Sequence, residues 1–251
     1  MVIACYRAPS LVQPVEADVD TATVQLQDVA MHYENGAEVL SDVRLRLAAG
    51  SFHFLTGASG SGKTSLLRVI SLAEPPSRGR VALFGRLAAD LTRAEVGALQ
   101  RRIGMVFQDF RLLDHLTAFD NVALPLRLAG AVDAQIARHV GELLAWLGLG
   151  EVVAKRPPEL SMGQRQLVAV GRAVVTRPRL LLADEPTSSV DDGHARRVMH
   201  LLLSLHRIGT TVVVATHSDE IVRRHRFPVL EMASGRLSRR PAGACNIPAM
   251  A

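Results

Sequence analysis

Residues 51–70 read SFHFLTGASGSGKTSLLRVI. A short apolar run, a glycine-rich turn and a segment with apolar residues at helical spacing follow one another. That order predicts a strand, a loop and an amphipathic helix. Gly57, Ala58, Ser59, Gly60, Ser61, Gly62, Lys63 and Thr64 fit G-x-x-x-x-G-K-[ST]. Glycines let main-chain N–H groups wrap phosphates at a distance that side chains would block. Lys63 brings a point charge to the β/γ-phosphates, and the Thr64 hydroxyl suits Mg²⁺.

Outward from this loop, short continuous apolar runs alternate with helical patterns. RLLLADEP (179–186) and TTVVVATH (210–217) are such runs, as expected of parallel strands covered on both faces. Upstream, residues 24–28 and 39–50 alternate in polarity, and Asn35-Gly36 between them is a hairpin signal. The predicted fold is α/β: a phosphate-loop core, a small antiparallel β subdomain in front, and an inserted helical subdomain over about 111–165. Residues 1–20 and 237–251 read as flexible tails around a domain spanning 21–236.

Asp184-Glu185 ends the first of those apolar runs. Opposite a phosphate loop, the first acid can hold Mg²⁺ through water, and the second can activate the attacking water. ELSMGQRQLVAVGRAVV (159–175) reads as a helix start with Ser161 near the cap. Such a start exposes unpaired N–H groups and suits an anion, although the phosphate loop lies about a hundred residues upstream in the chain.

Composition narrows the function. The 251 residues are 48% hydrophobic and 21% charged, ordinary for a globular domain. Aromatics make up 4%, which argues against a stacking single-strand nucleic-acid binder, and no nucleic-acid partner is expected. The formal charge is +5, and Lys63 and Lys155 are the only lysines. Cys5 and Cys245 stand near opposite ends, which fits a reducing cytosol and no disulfide framework. The first twenty residues lack the apolar core of a secretory signal, and no apolar run approaches the 18 or so residues of a membrane span. Work at a membrane therefore calls for a separate protein.

These motifs together resemble the ATP-binding subunits of ABC transporters, over about residues 23–236. Gly57–Thr64, with Ser65 following, is similar to the family's Walker A loop. Gln108 in IGMVFQDF is similar to the Q-loop, LSMGQ (160–164) to the signature motif, and LLLADEP to Walker B. SSVD (188–191) is similar to the D-loop, His217 to the switch histidine, and Tyr33 to the aromatic that stacks on adenine.

The resemblance implies ATP and Mg²⁺ as cofactors. It gives Glu185, His217, Gln108 and Lys63 to catalysis, and Thr64, Gln108 and Asp184 to the metal. It also implies a homodimer that forms on ATP binding, in which Ser161, Gly163, Gln164 and Asp191 act on ATP held by the second copy. Met162 departs from the usual glycine, and is tolerated if its backbone is ordinary. Val190 departs from the commoner leucine.

The segment 101–130 most resembles the cell-division branch of the family, typified by FtsE. The resemblance implies an integral membrane partner of FtsX type, division-site proteins, control of peptidoglycan hydrolysis, and a place at the cytoplasmic face of the bacterial inner membrane. Lipoprotein-release and export branches (LolD, MacB) have similar segments, and an ATP-gated scaffold with little turnover is a further alternative. Leu112, Leu113 and Leu116 would line the groove for the membrane subunit, or simply belong to the core. Trp146 is expected in packing and Arg223-Arg224-His225-Arg226 on a solvated face. His194, His200 and His206, six apart, lack metal spacing.

Overall fold

The computed structural model describes residues 22–33 and 38–240. Two sheets organise them. The first is antiparallel, in the order β2-β1-β4-β5, with β1 Ala22–His32, β2 Glu38–Ala48, β4 Arg78–Leu83 and β5 Arg86–Leu87. The second has the order β10-β9-β3-β8-β7-β6. Its members are β3 Phe52–Thr56, β6 Ile103–Val106, β7 Leu180–Asp184, β8 Thr211–Ala215, β9 Val229–Ala233 and β10 Arg236–Arg240. Strands β9, β3, β8, β7 and β6 run parallel, and only β10 is antiparallel.

The continuous apolar strands are buried on both faces, and alternate residues feed two cores. Leu181, Ala183, Val212 and Val214 point to a core shared with four helices: α3 Ala118–Leu128, α4 Asp133–Trp146, α5 Met162–Val174 and α6 Asp192–Arg207. Leu180, Leu182, Val213 and Ala215 point to the other core. It is filled by α1 (Lys63–Ile70), the inner face of the antiparallel sheet, and Leu99 of α2 (Arg93–Gln100). The last helix, α7, is Asp219–His225. No described helix is long and apolar enough to cross a membrane.

The alternation expected from Val24 onward breaks at Asp28. Its φ is 51°, and the pairing register shifts between Leu26 and Val29. This bulge changes which face the following residues occupy, so Val29, Ala30 and Met31 are all buried. β1 and β2 pair antiparallel, with His32 opposite Glu38. The hairpin turn expected at Asn35-Gly36, and the flexible tail expected over 1–20, lie outside the described residues.

Two boundaries differ from expectation. Residues 111–117 form no helix; α3 begins only at Ala118, capped by the Thr117 side chain. The fold also continues past 236. Ser234 and Gly235, at φ 47° and 75°, make a two-residue turn that returns β10 against β9, Ala233 opposite Arg236. An edge strand whose one apolar residue, Leu237, stands among arginines and serine carries little apolar signal, which is why the segment read as tail; the rest of that tail lies outside the described residues.

Candidate functional site

Strand register gathers the site. Leu55 of β3 pairs with Ala215 of β8, Ala215 with Asp184 of β7, and Ala183 with Val106 of β6. The carboxyl ends of four adjacent parallel strands therefore lie side by side, where open α/β sheets place their ligands. Immediately beyond them come Gly57, His217, Glu185 and Gln108.

The loop Gly57–Gly62 is shaped by its glycines. A Cβ on Gly57 would lie 2.3 Å from the Met232 carbonyl, and one on Gly62 2.8 Å from that of Val39. Gly62 also holds φ 103° as the N-cap of α1, with no side-chain cap. The first turn of α1 therefore offers uncapped N–H groups to an anion. Lys63 Nζ donates to the carbonyls of Gly57 and Ala58, 2.7 and 2.9 Å away, so its charge stands over the loop. Ser61 is buried, and its hydroxyl has no hydrogen-bond partner. Tyr33, about one-third exposed, shares a 3.0 Å hydrogen bond between its hydroxyl and that of Ser65, which fixes the ring beside the loop.

Thr64 Oγ1 donates to Asp184 Oδ2 at 2.7 Å. Asp184 is almost fully buried, and burial raises its pKa above the ordinary carboxylate value against the hydrogen bond from Thr64 and the charge of Lys63. A buried carboxylate and a hydroxyl in contact are hard oxygen donors of the kind Mg²⁺ takes. Gln108 is exposed in the turn after β6.

Glu185, next in the chain, takes φ 50°, an uncommon conformation for a non-glycine residue, and its amide donates to the Ala215 carbonyl. Its carboxylate is largely buried, and Oε1 lies 2.8 Å from His217 Nδ1, whose ring is exposed. An acid shielded from solvent and tied to an open imidazole can take or relay a proton.

The remaining expected residues lie apart. Ser161 caps α5, accepting from the Gln164 amide while the Gln164 side chain accepts from the Ser161 amide. Gln164 thus spends its carbonyl on the helix start. Among the described residues, no hydrogen bond or ion pair joins Ser161–Gln164 to the phosphate loop of the same chain. Met162 occupies the first turn of the helix without positive φ and is 64% exposed, so its side chain points outward from an ordinary backbone. Gly163 approaches the Ser189 carbonyl, which a Cβ would meet at 3.1 Å. Asp191 caps α6 and bonds both the amide and the ring of His194, which holds its carboxyl down at about 2.

His206 packs edge-on against Phe52 and Phe227, and His200 lies beside Trp146, which itself packs on the helical core. Arg223 and Arg224 bond back to Asp219 and Glu220 on an exposed face. Leu112 packs against the helical core, while Leu113 stays exposed.

Three buried or half-buried polar side chains escaped the sequence. Gln166 of α5, 1% exposed, donates to the Glu185 carbonyl at 2.7 Å and accepts from the Ser189 amide at 2.9 Å. Asn121 of α3 holds the backbone of Leu113, Leu116 and Thr117. Arg172 of α5 reaches the carbonyls of Phe110 and Arg111. A polar residue on an otherwise apolar helical face was the available signal in each case, but its partner was not. A shallow groove of about 430 Å³ lies elsewhere, on the outer face of the antiparallel sheet by Gln25, Arg44 and Arg239; Arg44 is already paired with Asp28.

A phosphate loop between strand and helix, with an Asp-Glu pair at the end of the strand next but one in the sheet, defines a phosphate-loop nucleoside triphosphatase. The ABC transporter family profile matches residues 40–188. The chain is 39% identical to the cell division ATP-binding protein FtsE of Escherichia coli, over 85% of its own length and 96% of the relative's. It is 42% identical to FtsE of Mycobacterium tuberculosis, over 86% and 94%. It is also 42% identical to the methionine import ATP-binding protein MetN of Xylella fastidiosa, but spans only 65% of that protein. A dimeric ATP-binding cassette in a post-hydrolysis state, bound to ADP and Pi, superposes with TM-score 0.82 at 33% identity, covering 87% of this chain and 98% of that one. The chain belongs to the ABC transporter family, as an ATP-binding subunit that hydrolyses ATP.

Proposed function

We propose that the chain is the ATPase of an FtsEX-like complex. ATP closes two copies into a dimer at the cytoplasmic face of the inner membrane. An FtsX-like membrane subunit passes that closure outward to control peptidoglycan hydrolysis at the division site, with division-site proteins as further partners. The observation that carries the ATPase part is the pair of contacts at the strand ends, Thr64 to Asp184 and Glu185 to His217. The cell-division part is supported by identity to FtsE along nearly the whole of that relative.

Each side chain then has a task. The amides of Gly57–Ser65 and the Lys63 ammonium bind the phosphates, and the Tyr33 ring stacks on adenine. Thr64, Asp184 and Gln108 hold Mg²⁺, which when bound neutralises charge on the phosphate oxygens. Glu185 accepts a proton from the attacking water, and His217 holds the Glu185 carboxylate in place while its other ring nitrogen reaches toward the γ-phosphate. Ser161, Gly163, Gln164 and Asp191 complete the site from the second copy, which accounts for their separation from the loop within one chain.

A second reading, an import or export ATPase, is favoured by the 42% identity to MetN. Affinity purification separates the two. Glu185→Gln is used as bait with ATP on detergent-solubilised membranes of the source organism. Recovery of one FtsX-like membrane protein supports the division role. Recovery of a methionine-import, lipoprotein-release or export permease replaces it with the second reading.

A further inference from the structure

Helix α5 touches two loops of the site at once, the one after β7 and the one after β6. Gly163, in the helix's first turn, abuts the Ser189 carbonyl. One turn on, Gln166 bridges the Glu185 carbonyl and the Ser189 amide. In its last turn, about 9 Å further along the axis, Arg172 donates from Nη1 to the Arg111 carbonyl at 2.6 Å and from Nη2 to the Phe110 carbonyl at 2.7 Å.

Those two carbonyls are unusually placed. Phe110 and Arg111 are consecutive non-glycine residues at positive φ, 59° and 47°. Such backbone persists only where its surroundings over-determine it. The bracing here is specific. The Arg111 guanidinium covers the Phe107 ring at 4.3 Å and pairs with Asp109, and the Arg172 fork clamps the outward carbonyls. Asn121 pins the next residues from α3, and α3 is locked to α5 where Gly171 meets Val122. The loop 107–117 is therefore fastened to α5, directly and through α3.

Arg172 is an expensive way to fasten a loop. Its charge is half-buried, burial lowers its pKa, and among the described residues it meets carbonyl dipoles and no carboxylate. A neutral donor would hold one carbonyl without that desolvation. What the guanidinium adds is a rigid, charge-assisted two-point grip.

We propose that Arg172 is a positioning residue for hydrolysis: through α5 and Gln166 it ties the loop 107–117 to the backbone of Glu185. A shift of that loop moves α5 as one rod, and the rod carries the Glu185 carbonyl and the Ser189 amide with it. The inference rests on the ATPase assignment and, for what moves the loop, on the proposed membrane subunit.

The test compares the purified wild-type chain with Arg172→Met and Arg172→Lys. Arg172→Met is expected to lower kcat by about ten-fold or more, as misplacement of a reacting group does, with KM for ATP within about two-fold. Arg172→Lys, which keeps the charge but not the fork, is expected to fall between. Hydrogen–deuterium exchange should quicken in residues 108–116 and 185–190 of Arg172→Met, and not in α1. Unchanged kcat with unchanged exchange at 185–190 would overturn the proposal. So would a parallel loss of kcat, ATP affinity and protection throughout the chain, which marks a merely structural arginine. If wild type failed to hydrolyse ATP, the ATPase assignment would fall, and the exchange at 185–190 would still decide the Arg172 link.

Discussion

Glu185 and His217 stand at the ends of neighbouring strands, and their side chains meet at 2.8 Å although one is largely buried and the other largely exposed. The contact ties a shielded carboxylate to a ring free to reach outward. Glu185→Gln preserves an oxygen for His217 but no base. We expect kcat to drop at least about 100-fold, the usual scale of general base catalysis, with ATP affinity retained. His217→Ala should lower kcat similarly and leave ATP binding within about three-fold. Single-turnover phosphate release alongside nucleotide binding by fluorescence checks both.

Asp184 is held where its proposed metal-binding role needs it, at a cost in stability. Its raised pKa comes mainly from burial. A carboxylic acid whose folded pKa lies above its unfolded value favours folding at low pH and loses that contribution as pH rises through the folded pKa. At neutral pH the buried charge is therefore a liability. Asp184→Asn should raise the melting temperature of the nucleotide-free protein by a few degrees, about 2–4 °C per kcal/mol for a chain this size. It should also abolish Mg²⁺-dependent hydrolysis. Calorimetry at pH 7.5 with a parallel activity assay tests the pairing of gain and loss.

His53 on β3 should set part of the acid response. Its pKa is pushed down to about 4 from 6.5, by burial first and then by Arg239 and His206, and its Nδ1 has no hydrogen-bond partner. Between those two values the unfolded chain binds the proton and the folded chain does not, so stability falls as pH falls through that window. Allowing for solvent at the ring edge, the loss is about 1–2 kcal/mol. Urea midpoints from pH 7 to pH 4 should decline less steeply for His53→Gln than for wild type. Equal slopes would show that His53 does not set the acid response.

Met162 bears no backbone strain, since it opens α5 at ordinary φ with its side chain outward. Met162→Gly should therefore bring turnover no more than about two-fold above wild type. It should cost roughly 0.5–1 kcal/mol of stability from helix propensity alone. Steady-state phosphate release and denaturant unfolding of the variant decide the matter.

Local spacing was enough to find the phosphate loop, because its chemistry is contiguous: Gly57 to Thr64 needs no distant partner to be recognisable. The parallel strands were legible as unbroken apolar runs, and Asp184-Glu185 was legible because it ends one of them. Where function depends on contacts across the fold, the chain was silent. Gln166 and Arg172 look like ordinary polar interruptions of an apolar helix until Glu185, Phe110 and Arg111 are beside them. The bulge at Asp28 left no mark in composition, and β10 carried too few apolar residues to show itself. Segment 111–117 read as helical with the rest of 111–165, yet Asn121 takes up its carbonyls and holds it as a loop.

In the proposed complex, ATP joins two copies of this chain through Ser161–Gln164 of each and the phosphate loop of the other. Light scattering coupled to size exclusion, on Glu185→Gln with millimolar Mg-ATP, tests it most directly. We expect a dimer that reverts to monomer without nucleotide, is lost in a Glu185→Gln/Lys63→Ala double variant, and is weakened by adding Ser161→Arg. A Glu185→Gln protein that binds ATP yet stays monomeric at every concentration examined would contradict it.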